Sequence, residues 1–274
     1  MPEFRTSDAL RLWYEDQGDG PPLLCLSGLT RNSSDFDYVL PYLLGEHRVI
    51  RLDYRGRGRS QRAPDWRSYT IPTEARDVVE LLDHLGLDRV AIIGTSRGGL
   101  IGMALALTAR ARLGGLCLVD VGPVLAPEGL EAIEGYVGVA PAARTLEEAA
   151  LERATLMAGF EDVPAERWRE EAAHHYRETP DGLALSYDAR LRDAFLEGAC
   201  KPAADLWPLF DALEGLPLAC IRGANSDLLA RGTLAEMVRR RPDMIVAEVP
   251  GRGHVPFLDE PEALEAIRSW IARL

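Results

Sequence analysis

Lysine is almost absent from this 274-residue chain: of its 31 basic residues only Lys201 is lysine, and the other 30 are arginines. That skew carries no functional content by itself. Base is also short overall, with 43 Asp plus Glu giving a net charge of −12. A nucleic-acid role needs a basic surface for counterion release, so the balance excludes it. Long apolar runs are missing as well. The most continuous, residues 100–107, falls far short of the roughly 20 residues needed to span a bilayer, and membrane partners are excluded with it. The first eight residues, Met-Pro-Glu-Phe-Arg-Thr-Ser-Asp, lack the apolar stretch of a signal peptide. Cysteine is limited to Cys25, Cys117, Cys200 and Cys220, with no CxxC pair, and three of the four sit in apolar strand-like runs. A reduced, cytoplasmic protein is the expectation.

What is present is a repeated pattern: a short apolar run, a glycine-rich turn and an amphipathic helix. The runs are residues 23–26, 49–52, 90–93, 116–119, 216–221 and 244–249. Apolar on both faces, they read as strands buried in a parallel sheet and covered by helices. Ala75, Val78, Val79, Leu82 and Leu85 lie at helical spacing between Pro72 and Gly86, and a last helix starts at Pro261. Residues 7–15 suggest an antiparallel hairpin at the sheet edge. The alternation predicts an open α/β fold with a mostly parallel sheet. Residues 123–208 break it with helix-like segments (145–158 and 164–178 among them) and scattered aromatics. The predicted organisation is a core of residues 1–122 and 209–274 with a helical insertion at 123–208.

Chemistry concentrates at Gly94-Thr95-Ser96-Arg97-Gly98-Gly99, directly after one buried run and before a helix-like segment. In that context Gly-x-Ser-x-Gly is a sharp turn that lifts the serine hydroxyl above the sheet, with the N–H of Arg97 at a helix start able to face an oxyanion. A serine needs a base, and only five histidines are available. His47 and His84 read as structural or solvated, and the adjacent His174 and His175 diverge around a helix. His254, in the glycine-rich loop after the last apolar run, is the candidate base. The base needs an acid to fix its tautomer. Asp227, on the loop after the 216–221 run, is the favoured candidate, and Asp120, at the end of the 116–119 run, is its rival.

These residues resemble the α/β-hydrolase family over nearly the whole chain. Residues 94–99 are similar to its nucleophile elbow, and Asp53-Tyr54-Arg55-Gly56-Arg57-Gly58-Arg59-Ser60 to its Asp-x-Arg-Gly-x-Gly-x-Ser loop. Residues 223–227 and Gly253-His254 match its acid and base loops, and residues 123–208 its helical cap. The resemblance implies a serine ester hydrolase in which Ser96, Asp227 and His254 act together and the backbone N–H groups of Leu29 and Arg97 form the oxyanion hole. It departs from the family at Leu26-Ser27-Gly28-Leu29, where most members carry His-Gly, and at Arg97, which is often Met, Leu or Gln.

Within the family, Ser96 argues against epoxide hydrolases and haloalkane dehalogenases, which place Asp there. The implied substrate is a small-to-medium carboxylic ester or lactone. Alternatives are carbon–carbon cleavage of ring-fission products and, in another class, a slow ligand-binding receptor. No cofactor or metal is implied: the Gly56 to Gly58 turn lacks both the Lys-Ser/Thr of a P-loop and dinucleotide spacing. Arg31 and Arg97 are candidate anchors for an anionic substrate group, and Tyr136 and Trp168 candidate cap residues lining the site. With Arg55, Arg57 and Arg59 at the same sheet edge, they suggest a basic rim in an acidic protein. Nothing in the sequence selects between a monomer and a homodimer.

Overall fold

In the computed structural model, which describes residues 2–200 and 204–274, six apolar runs become six parallel strands of one eight-stranded sheet. The chain enters through an antiparallel hairpin, β1 (Glu3–Arg5) and β2 (Arg11–Gln17), which occupies one edge. There follow β3 (Pro22–Leu26), β4 (Arg48–Leu52), β5 (Val90–Thr95) and β6 (Leu113–Val119). A small separate hairpin, β7 (Tyr176–Thr179) and β8 (Gly182–Leu185), precedes the last sheet strands, β9 (Leu218–Gly223) and β10 (Ile245–Val249). The spatial order is β1-β2-β4-β3-β5-β6-β9-β10.

Strand periodicity divides the core into two layers, because successive side chains point to opposite faces. Leu24, Leu26, Ile92, Leu116 and Leu118 pack on one side, against α2 (Ile71–His84) and α3 (Arg97–Thr108), while Leu23, Cys25, Ile93, Cys117 and Val119 pack on the other. That second layer is closed by the short α1 (Leu40–Leu43) and by the last helix, whose Leu264, Ile267 and Trp270 are all buried. The N-terminus of α2 is capped by Thr70, whose side chain accepts from the Thr73 N–H, and Gly86 at φ +65° ends the helix region. Three cysteines are fully buried strand residues, and burial pushes the Cys25 thiol up to about 12.

Between β6 and β9 the chain forms the cap: α4 (Pro127–Tyr136), α5 (Leu146–Leu156), α6 (Ala165–His175), the β7–β8 hairpin and α7 (Leu191–Ala199). Here the sequence reading needs one correction. The predicted helix over 164–178 stops at His175, and residues 176–185 turn back as a partly exposed hairpin that no buried apolar run announces. Three further helices, α8 (Trp207–Asp211), α9 (Arg231–Arg240) and α10 (Pro261–Ile271), complete the core. Among the described residues no helix is long and apolar enough to cross a membrane. Lys201 lies outside the described residues.

Candidate active site

The site sits where three neighbouring strands end. Ser96 directly follows β5, and its N–H donates to the Val119 carbonyl; Asp120 follows β6, and its N–H donates to the Ile221 carbonyl of β9. Each residue therefore extends the ladder by one bond and then leaves it in a strained conformation. Ser96 adopts φ +49°, ψ −111°, and Asp120 φ +53°, both unusual for residues with a Cβ. The sharp turn at Ser96 is possible because the residues two positions to either side, Gly94 and Gly98, have no side chain. A Cβ on Gly98 would stand 2.0 Å from the Leu26 carbonyl oxygen, and one on Gly94 2.7 Å from the backbone of Gly98.

His254 joins the two. Ser96 Oγ–H donates to His254 Nε2 at 3.0 Å, and His254 Nδ1–H donates to Asp120 Oδ2 at 2.7 Å. The Asp120 carboxylate is fully buried, with the Gly223 N–H donating to Oδ1 at 2.8 Å and the Ser226 hydroxyl to Oδ2 at 2.6 Å. Asp227 is not the partner of His254, contrary to the sequence expectation. Its backbone carbonyl accepts from Gly129 N–H of α4 at 3.1 Å, and its charge lies within reach of Tyr136, so it belongs to the seam with the cap. The physical reason is strand order: β6 lies between β5 and β9, so a side chain leaving β6 stands nearest the serine. The loop after β9 contributes Ser226 instead, a residue the sequence reading missed. Its position one residue before Asp227 in the acid-like loop was the available signal.

The base loop is clamped from both sides. A Cβ on Gly223 would stand 2.4 Å from the Gly253 carbonyl, and one on Gly253 2.3 Å from the carbonyl of cap residue Ala158. Glu161 N–H donates to the Gly251 carbonyl, and Asn225 Nδ2 to that of Gly159, so cap, acid loop and base loop meet around His254.

The candidate oxyanion donors belong to two different elements. Arg97 is the first residue of α3, so its N–H has no acceptor four residues back and belongs to the positive end of the helix. Leu29 lies on the loop after β3, the strand paired with β5; a Cβ on the adjacent Gly28 would be 3.9 Å from Ser96 Cβ.

The side chains of the candidate anchors are already engaged. Arg97 Nε–H donates to Glu74 Oε2 at 2.5 Å and Nη2 to the Tyr69 carbonyl. Arg31 Nη1 donates to Asp35 at 2.7 Å and lies 3.6 Å from Glu171 of the cap. Arg55 pairs with Asp77 and Asp8, and Arg57 with Glu74; both arginines are fully buried. The expected basic rim is thus an internal set of ion pairs, as burial requires of a guanidinium; only Arg59, paired with Glu15 over the Trp13 ring, is exposed. Trp168 is likewise corrected. It is buried in the cap's own core, packed on Phe160 and Phe257. Tyr136 is half exposed at the end of α4, within reach of Arg31, Arg153 and Asp227. Among the described residues no three His, Cys, Asp or Glu side chains converge as a metal cage.

With this geometry in hand, comparison with known proteins is informative. The profile of the alpha/beta hydrolase family matches residues 23–267. The chain is 40% identical to a 3-hydroxybutyrate-oligomer hydrolase of Cupriavidus necator over 92% of this chain and 89% of that protein. It is 28% identical to a 2-(acetamidomethylene)succinate hydrolase of Mesorhizobium japonicum over 96% of this chain and 92% of that one. Among solved structures, an alpha/beta hydrolase from Novosphingobium aromaticivorans superposes with a TM-score of 0.92 at 38% identity, covering 99% of this chain and 97% of that one. Fold, profile and relatives agree that this chain is a hydrolase and belongs to the alpha/beta hydrolase family.

Proposed function

We propose that this hydrolase cleaves carboxylic esters through an acyl-enzyme on Ser96, with short oligoesters of hydroxy acids as the favoured substrates. The observation that carries the mechanism is the continuous hydrogen-bonded chain from Ser96 Oγ through His254 to the buried Asp120 carboxylate. In the first step Ser96 Oγ attacks the ester carbonyl carbon as its proton passes to His254 Nε2. Asp120 holds the ring by its Nδ1–H and stabilises the imidazolium. The oxyanion is received by the backbone N–H groups of Leu29 and Arg97, which are fixed before the reaction starts. Collapse of the tetrahedral intermediate expels the alkoxide, which takes the proton from His254. Water then attacks the acyl-enzyme by the same route, releasing the acid and restoring Ser96.

The substrate preference rests on the 40% identical relative, whose name specifies 3-hydroxybutyrate oligomers. The occupied arginines favour such a monocarboxylate over a dicarboxylate such as the succinate of the 28% identical relative, whose second carboxylate would need a cation of its own. Arg31 and Arg97 are each bound to carboxylates of the protein itself. The test pairs fluorophosphonate labelling with product analysis on 3-hydroxybutyrate dimers and trimers, a lactone and a ring-fission dienoate. Labelling of the wild type, its loss in Ser96→Ala and release of 3-hydroxybutyrate are expected. An unlabelled folded protein, or turnover of the dienoate alone, overturns the reading.

A further inference from the structure

We infer that Ser226 is a positioning residue for this reaction, holding Asp120 Oδ2 where His254 needs it from the loop that other acids of this kind would occupy. The inference rests on the reading of Ser96, His254 and Asp120 as the reacting set. Ser226 Oγ–H donates to Asp120 Oδ2 at 2.6 Å, the same oxygen that accepts from His254 at 2.7 Å. The hydroxyl is itself aimed. Its oxygen accepts from the N–H groups of Leu228 and Leu229 at 3.3 and 3.1 Å, so the only proton it has left goes to Asp120.

The loop that carries it is braced from below. Arg222, buried at the end of β9, donates from Nε to the Leu229 carbonyl, from Nη1 to that of Ala224 and from Nη2 to that of Ser226. One guanidinium therefore fixes three carbonyls of residues 224–229, and its charge is balanced by Glu248 at 2.7 Å. Such a bracket is more than a turn needs. Its effect is that Asp120, although in a strained φ, has both oxygens held, one by Gly223 N–H and the other by Ser226 and His254. A carboxylate on a rigid frame keeps the imidazole ring aligned with Ser96 as charge develops on it.

Removing the hydroxyl leaves Asp120 Oδ2 with one donor fewer, so the carboxylate attracts the imidazolium more strongly and is less well fixed. The other groups near the pair change little: the Cys220 thiol on β9 stays protonated because burial pushes it well up, Arg222 is tied to Glu248, and Asp227 lies toward the cap. For Ser226→Ala, kcat on an aryl ester falls about tenfold while KM stays within about twofold, and the acidic limb of the pH–rate profile moves upward by about half a unit. Ser226→Thr, which keeps the hydroxyl, restores most of kcat and the original limb. In an Asp120→Asn background, adding Ser226→Asp returns at least tenfold of the lost rate, because the loop then carries the acid itself.

A Ser226→Ala profile superimposable on that of the wild type overturns the inference, and so does a loss of kcat that only follows the loss of folded protein by circular dichroism. Failure of wild-type Ser96 to label with a fluorophosphonate is a different result, since it removes the ester-hydrolase reading itself.

Discussion

Arg57 donates its Nε–H to the carbonyl oxygen of Leu29 at 2.9 Å, and through its Nη1 it shares the Glu74 carboxylate with Arg97. One buried carboxylate thereby connects the loop carrying one proposed oxyanion donor with the helix start carrying the other. Glu74 is fully buried on α2, and Arg57 lies between the rings of Tyr54 and Tyr69. Burial alone would raise the Glu74 carboxyl, but the two guanidinium groups outweigh it and hold it below its ordinary value.

Breaking that node is therefore costly. Glu74→Ala leaves two guanidinium groups in the interior without their common anion, and about 3–5 kcal/mol of stability is lost. Urea denaturation at pH 7 measures it. The depressed carboxylate also fixes the sign with pH: its contribution is present above the unfolded value of 4.5 and disappears as pH falls through the lower folded one. A Glu74→Ala loss below 1 kcal/mol would show that the two arginines find other partners.

The choice of acid is tested by paired substitutions. Asp120→Asn keeps the shape of the side chain but offers no charge to His254, and kcat falls by about 10³–10⁴. Asp227→Asn leaves kcat within about twofold, since Asp227 makes its hydrogen bond through the backbone carbonyl to Gly129. Steady-state kinetics on one aryl ester decide it; the reverse ranking would return the role to Asp227.

Why the sequence favoured the wrong acid while pointing to the serine and histidine that the fold brings together is itself physical. Ser96 and His254 each announce themselves locally, through a turn whose glycines are forced by close approach and through a histidine just after two glycines on a loop that follows an apolar run. The sheet was legible for the same reason, since a strand buried on both faces is a continuous apolar run, and each of the six runs proved to be one. Asp120 and Asp227 are both acids following such runs. What separates them is the β5-β6-β9 order, which is a property of the assembled sheet. The arginines failed as anchors on similar grounds. Glu74 and Arg97 are 23 residues apart and Arg31 and Glu171 140 apart, so their pairing exists only in the fold. In the β7–β8 hairpin, β7 is a polar Tyr-Arg-Glu-Thr and the short apolar β8 is only partly buried, so neither reads as a core strand.

Substrate charge preference should be indifferent to the arginine beside the serine. The Arg97 side chain is spent on Glu74 and the Tyr69 carbonyl, and its proposed catalytic donor is the backbone N–H, which any residue but proline supplies. Arg97→Met should lower stability by leaving part of Glu74 unpaired. The ratio of kcat/KM between a neutral ester and its carboxylate-bearing analogue should change by less than about threefold, within the range of weak surface electrostatics. A tenfold swing toward the neutral ester would restore Arg97 as an anion anchor.

His175 gives the cap a pH dependence whose sign can be worked out. It lies buried at the end of α6 with Nδ1–H donating to the Glu171 carbonyl at 2.8 Å, a bond that the neutral and the charged ring can both make. Burial, reinforced by the nearby Arg153 and Arg31 charges, holds its pKa well below the ordinary 6.5. In the unfolded chain the ring takes a proton near 6.5, whereas in the fold it resists one. The unfolded state therefore binds more protons, and stability is full above pH 6.5 and falls as the pH drops below it. The slope reaches at most about 1.4 kcal/mol per pH unit. His175→Gln retains an amide donor for the Glu171 carbonyl but cannot take up a proton. Urea midpoints at pH 8, 6.5 and 5.5 should show the wild type losing stability toward acid and the variant losing less. Parallel curves for the two proteins would mean that His175 is not the group that titrates.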